Sequence, residues 1–387
     1  MVNNNPKLVR IATIPLSLNI LLKGQLAFLA NHFKIIAVAS PGEDLQVVKE
    51  REDVITHSIS IKRNISLISD SITFVKLFLF FLKEKPTIIH SITPKAGLLS
   101  MIAGKLAGVP IRMHTFTGLI FPSKKGLLKQ VLIIMDKILC YCATNVYPEG
   151  NGVKNDLLAH AITTKPLKVL ANGNVNGVDL TYFDPEKITT IQKQEVRTKL
   201  NIQETDFVFI FVGRLVGDKG INELVQAFSQ LTNLNAKLLL VGPYESELDP
   251  LQLETLHQIK NNSNIITVGF QEDVRPYFAI SHCLVFPSYR EGFPNVVLQA
   301  GAMGLPSIVS NINGCNEIIE EGFNGTIVPS KNKELLYLSM QRIIRDEVWR
   351  NKLQKNARER INSHYKQQLV WEALLLEYQK IMKEKGL

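Results

Sequence analysis

Glu291-Gly292-Phe293-Pro294 places a carboxylate, a glycine and a proline between a short apolar run, Cys283 to Phe286, and a helical pattern. That pattern continues from Asn295 through Ala302 and Met303. Simple packing does not demand all three residue types at one strand-to-helix junction. The glycine lets backbone approach a ligand. The proline suits the start of a helix, and the N–H groups there point at an anion or a sugar hydroxyl. Gln299 follows Glu291 by about two helical turns on the same face. Glu291 and Gln299 can therefore grip one extended ligand, assisted by the backbone from Gly292 to Asn295.

A second junction has matching chemistry. Gly213-Arg214-Leu215-Val216-Gly217-Asp218-Lys219-Gly220 also ends an apolar run and opens a helical one. Two cations among three glycines suit a diphosphate. The spacing misses the P-loop, because Gly220 stands where that loop needs Ser or Thr. No G-x-G-x-x-G accompanies it, so nicotinamide binding has no support.

These junctions need strands and helices to hold them. Short apolar runs alternate with helical patterns through the first half. Strands are expected at Leu8–Ile14, Phe33–Ala39, Ile88–Ser91, Ile111–Phe116, Thr144–Pro148 and Leu167–Leu170. Helices are expected at 24–31, 95–107 and 127–143. The pattern restarts after residue 205, with strands at Phe207–Val212, Lys237–Val241, Asn264–Val268, Cys283–Phe286, Ser307–Ser310 and Gly325–Val328. Such alternation implies α/β architecture with parallel sheets covered on both faces. A linker is expected between Asn172 and Gln203, where Asn, Gly, Thr and charges gather. The expected domains are 1–180 and 181–365, followed by an amphipathic helix in 366–387 that folds back on the first domain. Two Rossmann-like halves would bind ligand beyond the carboxyl ends of their strands.

The chain has 387 residues and a net charge of +9. Residues 1–180 carry 21 basic and 11 acidic residues, and residues 181–387 carry 23 and 24, so the excess lies in the first half. Aromatic-basic interleaving is absent, so nucleic acid is not an expected partner. An anionic membrane surface or a diphosphate substrate fits better. Four cysteines are too few for a disulfide framework, and Cys140 and Cys142 lack a second pair for zinc. No signal peptide and no membrane span are expected.

Taken in order, Gly213-Arg214, Lys219-Gly220, Val268-Gly269-Phe270, Pro287-Ser288 and Glu291-Gly292-Phe293-Pro294 resemble the donor site of family 4 glycosyltransferases. Asn176-Gly177-Val178-Asp179 with Phe183 resembles that family's entry to its second domain. The resemblance covers roughly residues 8–365. It implies a GT-B fold, a nucleotide-sugar donor, retention of anomeric configuration, and neither metal nor cofactor. By position, it implies that Arg214 and Lys219 neutralise the departing diphosphate and that Glu291 holds the sugar. Gly269 and Phe270 would border the base. The family usually has a second Glu where this chain has Gln299; an amide still accepts a ribose hydroxyl but brings no charge.

In the first half, His114 in Met113-His114-Thr115-Phe116-Thr117-Gly118 is expected near the donor's sugar or phosphate. Lys95, in the first turn after Pro94, is expected at the acceptor's phosphate. Gly24 is expected to let the first helix approach the donor. Residues 127–142 read as a core helix, while 67–82 reads as either core packing or membrane-surface insertion. The run from His90 to Gly118 is similar to enzymes that build bacterial glycans on undecaprenyl diphosphate. The expected function is transfer of a sugar, of N-acetylgalactosamine, galactose or glucose type, from a UDP-sugar to a lipid-linked saccharide. The site would lie on the cytoplasmic face of the membrane. Two rivals are a nucleotide-sugar 2-epimerase, disfavoured by the Arg214/Lys219 and Glu291 spacing, and a non-catalytic nucleotide-sugar-binding protein, supported only by Gln299.

Overall fold

A computed structural model of the chain describes residues 5–62, 64–232, 234–245 and 249–387. It divides into two compact units, Met1–Asn176 with Gln367–Leu387, and Gly177–Lys366.

The first unit is built on a six-stranded parallel sheet: β1 Lys7–Ile11, β2 Lys34–Ala39, β3 Ile55–Ser58, β4 Ile88–Ser91, β5 Ile111–Phe116 and β6 Asn145–Pro148, in the order β3-β2-β1-β4-β5-β6. Side chains alternate across its two faces. Val9, Ile11, Ile36, Val38 and Ile89 pack one way, against Leu77, Phe81 and Leu139. Leu8, Ala37, Ile88, Ile111 and Met113 pack the other way, against Leu22, Leu26, Leu374 and Ile381. Burial on both faces is what makes these strands read as unbroken apolar runs.

Several elements differ from expectation. β1 stops at Ile11, three residues short of the expected end, and Ile14 caps a helix that Pro15 opens, Pro15–Leu21. Residues 167–170 form no strand; Leu167 makes one isolated bridge to Val146. β3 went unread because its residues, Ile-Thr-His-Ser, are mostly exposed and lack a buried pattern. The helix Gly126–Cys142 is not a core helix. Only Leu139, Cys140 and Cys142 are fully buried, while Leu127, Ile134 and Tyr141 are exposed.

The C-terminal helix, Gln367–Glu384, belongs to the first unit. Its Tyr378 hydroxyl is 2.6 Å from both Arg10 Nη1 and His90 Nδ1, all three buried. Trp371 donates to Asn176 Oδ1 at 2.7 Å. A buried guanidinium is tolerated only with partners, so this helix completes the core it covers.

The second unit repeats the architecture with β7 Phe207–Val212, β8 Ala236–Val241, β9 Ile265–Gly269, β10 Cys283–Phe286, β11 Ser307–Ser310 and β12 Gly325–Val328, in the order β12-β11-β10-β7-β8-β9. The pairings are parallel. Strand order reverses at the β10/β7 neighbours, and ligands of open α/β sheets bind beyond the carboxyl ends at such a point. These are the two strands that lead into the Arg214 and Glu291 junctions. No helix among the described residues is long and apolar enough to cross a membrane.

Candidate active site

The two junctions of the second unit form one structure. After β7 the chain makes a short 3-10 turn, Gly217–Lys219, and Gly220 then opens the helix Ile221–Phe228. Gly220 has φ +72°, and a Cβ there would lie 2.1 Å from the Pro287 carbonyl oxygen. Only glycine lets this helix start sit directly on the exit of β10. The exits are then tied together. Tyr289 N–H donates to Asp218 O at 2.8 Å. Arg290 pairs with Asp218 at 3.0 Å. Tyr289 hydroxyl donates to Glu223 at 2.6 Å.

At the centre, Lys219 Nζ is bonded to Glu291 Oε1. The Ser288 hydroxyl donates to the same oxygen at 2.9 Å. Both charged side chains are about one-sixth exposed, at 17% and 16%. Their attraction is therefore less screened than that of a surface pair. Arg214 differs: its side chain is 50% exposed and pairs with Glu245. One cation is thus built into the turn, and the other is held loosely at the surface by a removable carboxylate.

Around this pair, Phe293 is buried with its ring 5.6 Å from Tyr365. Pro294 is the cap residue itself, one position before the helix Asn295–Ala302, where the sequence suggested the first turn. Gly292 is half-buried, and its carbonyl lies close to the backbone of Gly314. Gln299 is half-buried on the helix, after the buried Val297 and Leu298. Gly213 donates its N–H to Val241 O at 2.9 Å, so it is fixed to the sheet. Gly269 ends β9 with φ +66° and open space where a side chain would be, and Phe270 beside it is 74% exposed. Cys315, next to Gly314, is fully buried, and burial raises its thiol well above the usual range, so it is unreactive.

The sequence reading missed Glu245, Asp218, Glu223 and the role of Ser288. No local pattern marks them. Their partners come from other loops, 31 residues away in the case of Glu245. Among the described residues, no group of three or more His, Cys, Asp or Glu is placed to hold a metal ion.

Three residues expected at the site, His114, Gly24 and Lys95, belong to the first unit, where each has structural partners. His114 is 0% exposed, with Nδ1 2.8 Å from Ser91 Oγ and its ring edge-on to Phe116. Burial lowers its pKa from 6.5 to about 3, so the imidazole is neutral at neutral pH. Gly24 donates its N–H to Glu52 at 2.8 Å, and a Cβ there would lie 2.8 Å from the Trp371 ring. Gly24 thus makes room for the C-terminal helix. Lys95 pairs with Asp70 at 2.6 Å and also bonds the Asn64 carbonyl, so its charge is already matched.

His114 sets an acid limit. Below pH 6.5 the unfolded chain binds a proton that the folded chain refuses until about pH 3. Stability is full above pH 6.5 and falls between those values, by at most about 1.4 kcal/mol per pH unit from this residue. Burial lowers His90 and His282 in the same direction. Urea midpoints are therefore expected to drop from pH 7 to pH 4.5, and less steeply in His114→Gln. Equal midpoints at the two pH values would contradict this.

The chain is similar to known proteins. Residues 192–360 match the model for "Glycosyl transferases group 1". The capsular polysaccharide biosynthesis glycosyltransferase CapM of Staphylococcus aureus is 32% identical over 384 residues, covering 98% of each chain. The UDP-Gal:alpha-D-GlcNAc-diphosphoundecaprenol alpha-1,3-galactosyltransferase of Escherichia coli is 31% identical over 305 residues, 77% of this chain and 76% of that one. Among solved structures, Anabaena Alr3699/HepE in complex with UDP superposes with a TM-score of 0.81 at 16% identity, covering 97% of this chain and 100% of that one. This last likeness shows the GT-B fold. The match over residues 192–360, together with 32% identity over 98% of the chain to a glycosyltransferase, establishes that the chain belongs to the group 1 glycosyl transferases.

Proposed function

We propose that this glycosyltransferase moves a hexose or N-acetylhexosamine from a UDP-sugar, with retention and without a metal ion, to a polyprenyl-diphosphate-linked saccharide during surface-polysaccharide synthesis. The observation that carries the reading is the Lys219–Glu291 pair, shared between two junctions at the switch point of the sheet. The donor's diphosphate would take the place of carboxylates on Arg214 and Lys219. Negative charge grows on the diphosphate as the sugar leaves, so cations already in place lower the barrier. Glu291, fixed by Ser288, would accept hydroxyl hydrogens of the sugar.

The acceptor class rests on the first unit and on the E. coli relative, whose name specifies a diphosphoundecaprenol-linked substrate. Two helices, Leu67–Glu84 and Gly126–Cys142, leave Leu67, Ile68, Leu79, Leu127 and Ile134 exposed. Lys76, Lys83, Lys129 and Lys137 lie on the same helices. Apolar side chains among lysines suit the headgroup boundary of an anionic membrane, so the enzyme would work as a peripheral protein on its cytoplasmic side.

A panel of nucleotide-sugars against lipid-linked acceptors, read by released nucleotide and product mass, tests the proposal. UDP release with a one-sugar mass gain, unchanged by EDTA, is expected. Release only from purine-nucleotide sugars, or from no donor, would sink it. Consumption of UDP-N-acetylglucosamine without acceptor would point to epimerisation. A further expected result concerns Glu245. Glu245→Gln frees Arg214 from an exposed pair worth about 0–1 kcal/mol. UDP should then bind up to about fivefold more tightly in calorimetry. Weaker binding would mean that Glu245 helps to hold the donor.

A further inference from the structure

The first unit contains a cavity of about 340 Å³ lined by its own residues. Thr13, Thr93 and Gly118 border it, just beyond the carboxyl ends of β1, β4 and β5. Strand order reverses at the β1/β4 neighbours, so the cavity occupies the ligand position of an open α/β sheet. Its wall differs from the charged junctions of the second unit. Leu98, Leu119, Leu132 and Met135 line it with hydrocarbon.

The polar groups that line it are matched or easily neutralised. Thr13 and Thr93 hydroxyls bond each other at 2.8 Å. Lys95 pairs with Asp70 at 2.6 Å. Burial pushes the Asp136 carboxyl up to about 7, so it sheds its charge readily when hydrocarbon is laid against it. A cavity walled largely by hydrocarbon favours an apolar guest over a phosphate or a sugar.

The cavity is also continuous with the apolar surface of the unit. The helix Gly126–Cys142 turns Leu132, Met135 and Asp136 inward and leaves Leu127, Ile134 and Ile138 exposed. Ile65, which lines the cavity while 54% exposed, lies two residues before Leu67 and three before Ile68, which are 81% and 80% exposed.

We infer that this cavity holds the first isoprene units of the lipid-linked acceptor, the hydrocarbon next to its diphosphate. The inference rests on the acceptor class proposed above. A chain emerging from the bilayer follows the exposed faces of the two helices and seats its end at the β1/β4 switch point. The cavity thereby positions the head of the lipid and discriminates against saccharides that carry no prenyl group.

Farnesyl phosphate, titrated into the full-length protein below its micelle concentration, tests this, with inorganic phosphate as the control. The wild type should bind the prenyl compound at least about tenfold more tightly than phosphate, since burial of two or three methylene groups accounts for that ratio. Leu132→Trp and, on another helix, Leu98→Trp fill the cavity. Each should weaken farnesyl phosphate binding at least about tenfold, while UDP affinity and the circular dichroism spectrum remain those of the wild type. No binding to the wild type, or equal binding to the wild type and both variants, overturns the inference. The acceptor reading fails separately. If both variants lose the prenyl compound but no lipid-linked saccharide is glycosylated, the cavity is prenyl-binding and the acceptor assignment falls. If transfer to lipid-linked saccharides proceeds while prenyl binding ignores both substitutions, the cavity assignment falls and the transferase reading stands.

Discussion

Replacing Arg214 with alanine is expected to lower kcat about 10²- to 10³-fold while leaving the fold intact. The guanidinium is half exposed and pairs with Glu245. Its removal takes away a surface pair worth about 0–1 kcal/mol in stability, so the melting temperature should hardly move. The catalytic cost is large for a different reason. The charge that Arg214 would meet develops during departure of the diphosphate, and an interaction strengthened in the transition state appears in kcat. Single-turnover transfer, measured beside a thermal melt, separates the two effects. Near-normal turnover would remove Arg214 from the site.

Lys219→Ala is expected to cost a similar factor in turnover, about 10²- to 10³-fold, and to cost stability as well. Lys219 and Glu291 are mostly enclosed, and the Ser288 hydroxyl shares the same carboxylate oxygen. Without the lysine, a largely enclosed carboxylate keeps one neutral donor among the described residues, Ser288, a loss of about 1–3 kcal/mol. The loop that carries Glu291 should then loosen, so both donor affinity and kcat fall. Lys219→Ala/Glu291→Gln removes the stranded charge along with the cation. It should recover much of the melting temperature and none of the activity. Recovery of activity would mean that Lys219 acts only by positioning Glu291.

The two sheets and the donor junctions were legible in the sequence for physical reasons. Strands of a parallel sheet are buried on both faces, so Phe207–Val212 and Cys283–Phe286 stand out as apolar runs. The Gly220 and Glu291 junctions depend on nearby residues with particular backbone needs. What the sequence did not reveal, the partners these residues have in the fold, shares a cause too. His114 lies in a strand whose two faces are both covered, so alternation could not tell a core imidazole from one at the rim. Lys95 looked unmatched against the positive end of its helix because Asp70 lies 25 positions upstream. Gly24 looked like an approach point for a ligand, but what approaches is Trp371, from the other end of the chain. Glu245 and Ser288 acquire meaning only when the loops after β7, β8 and β10 come together.

The same logic applies to the helix Gly126–Cys142. A narrow polar stripe reads as a core helix when the chain is assumed to face water. Here one side lines a cavity and the other leaves leucine and isoleucine exposed. An assembled unit that keeps such a surface fits the membrane placement proposed above.

The central claim is that Arg214 and Lys219 receive the diphosphate of a uridine nucleotide in the second unit. Calorimetric titration of UDP, ADP and GDP into the full-length protein, with the Arg214→Ala/Lys219→Gln variant alongside, tests it most directly. The account predicts that the wild type binds UDP in preference to the purine nucleotides, and that the double variant, still folded by circular dichroism, binds UDP at least about 100-fold more weakly. Unchanged UDP affinity in the folded double variant, or a preference for ADP or GDP, would contradict it.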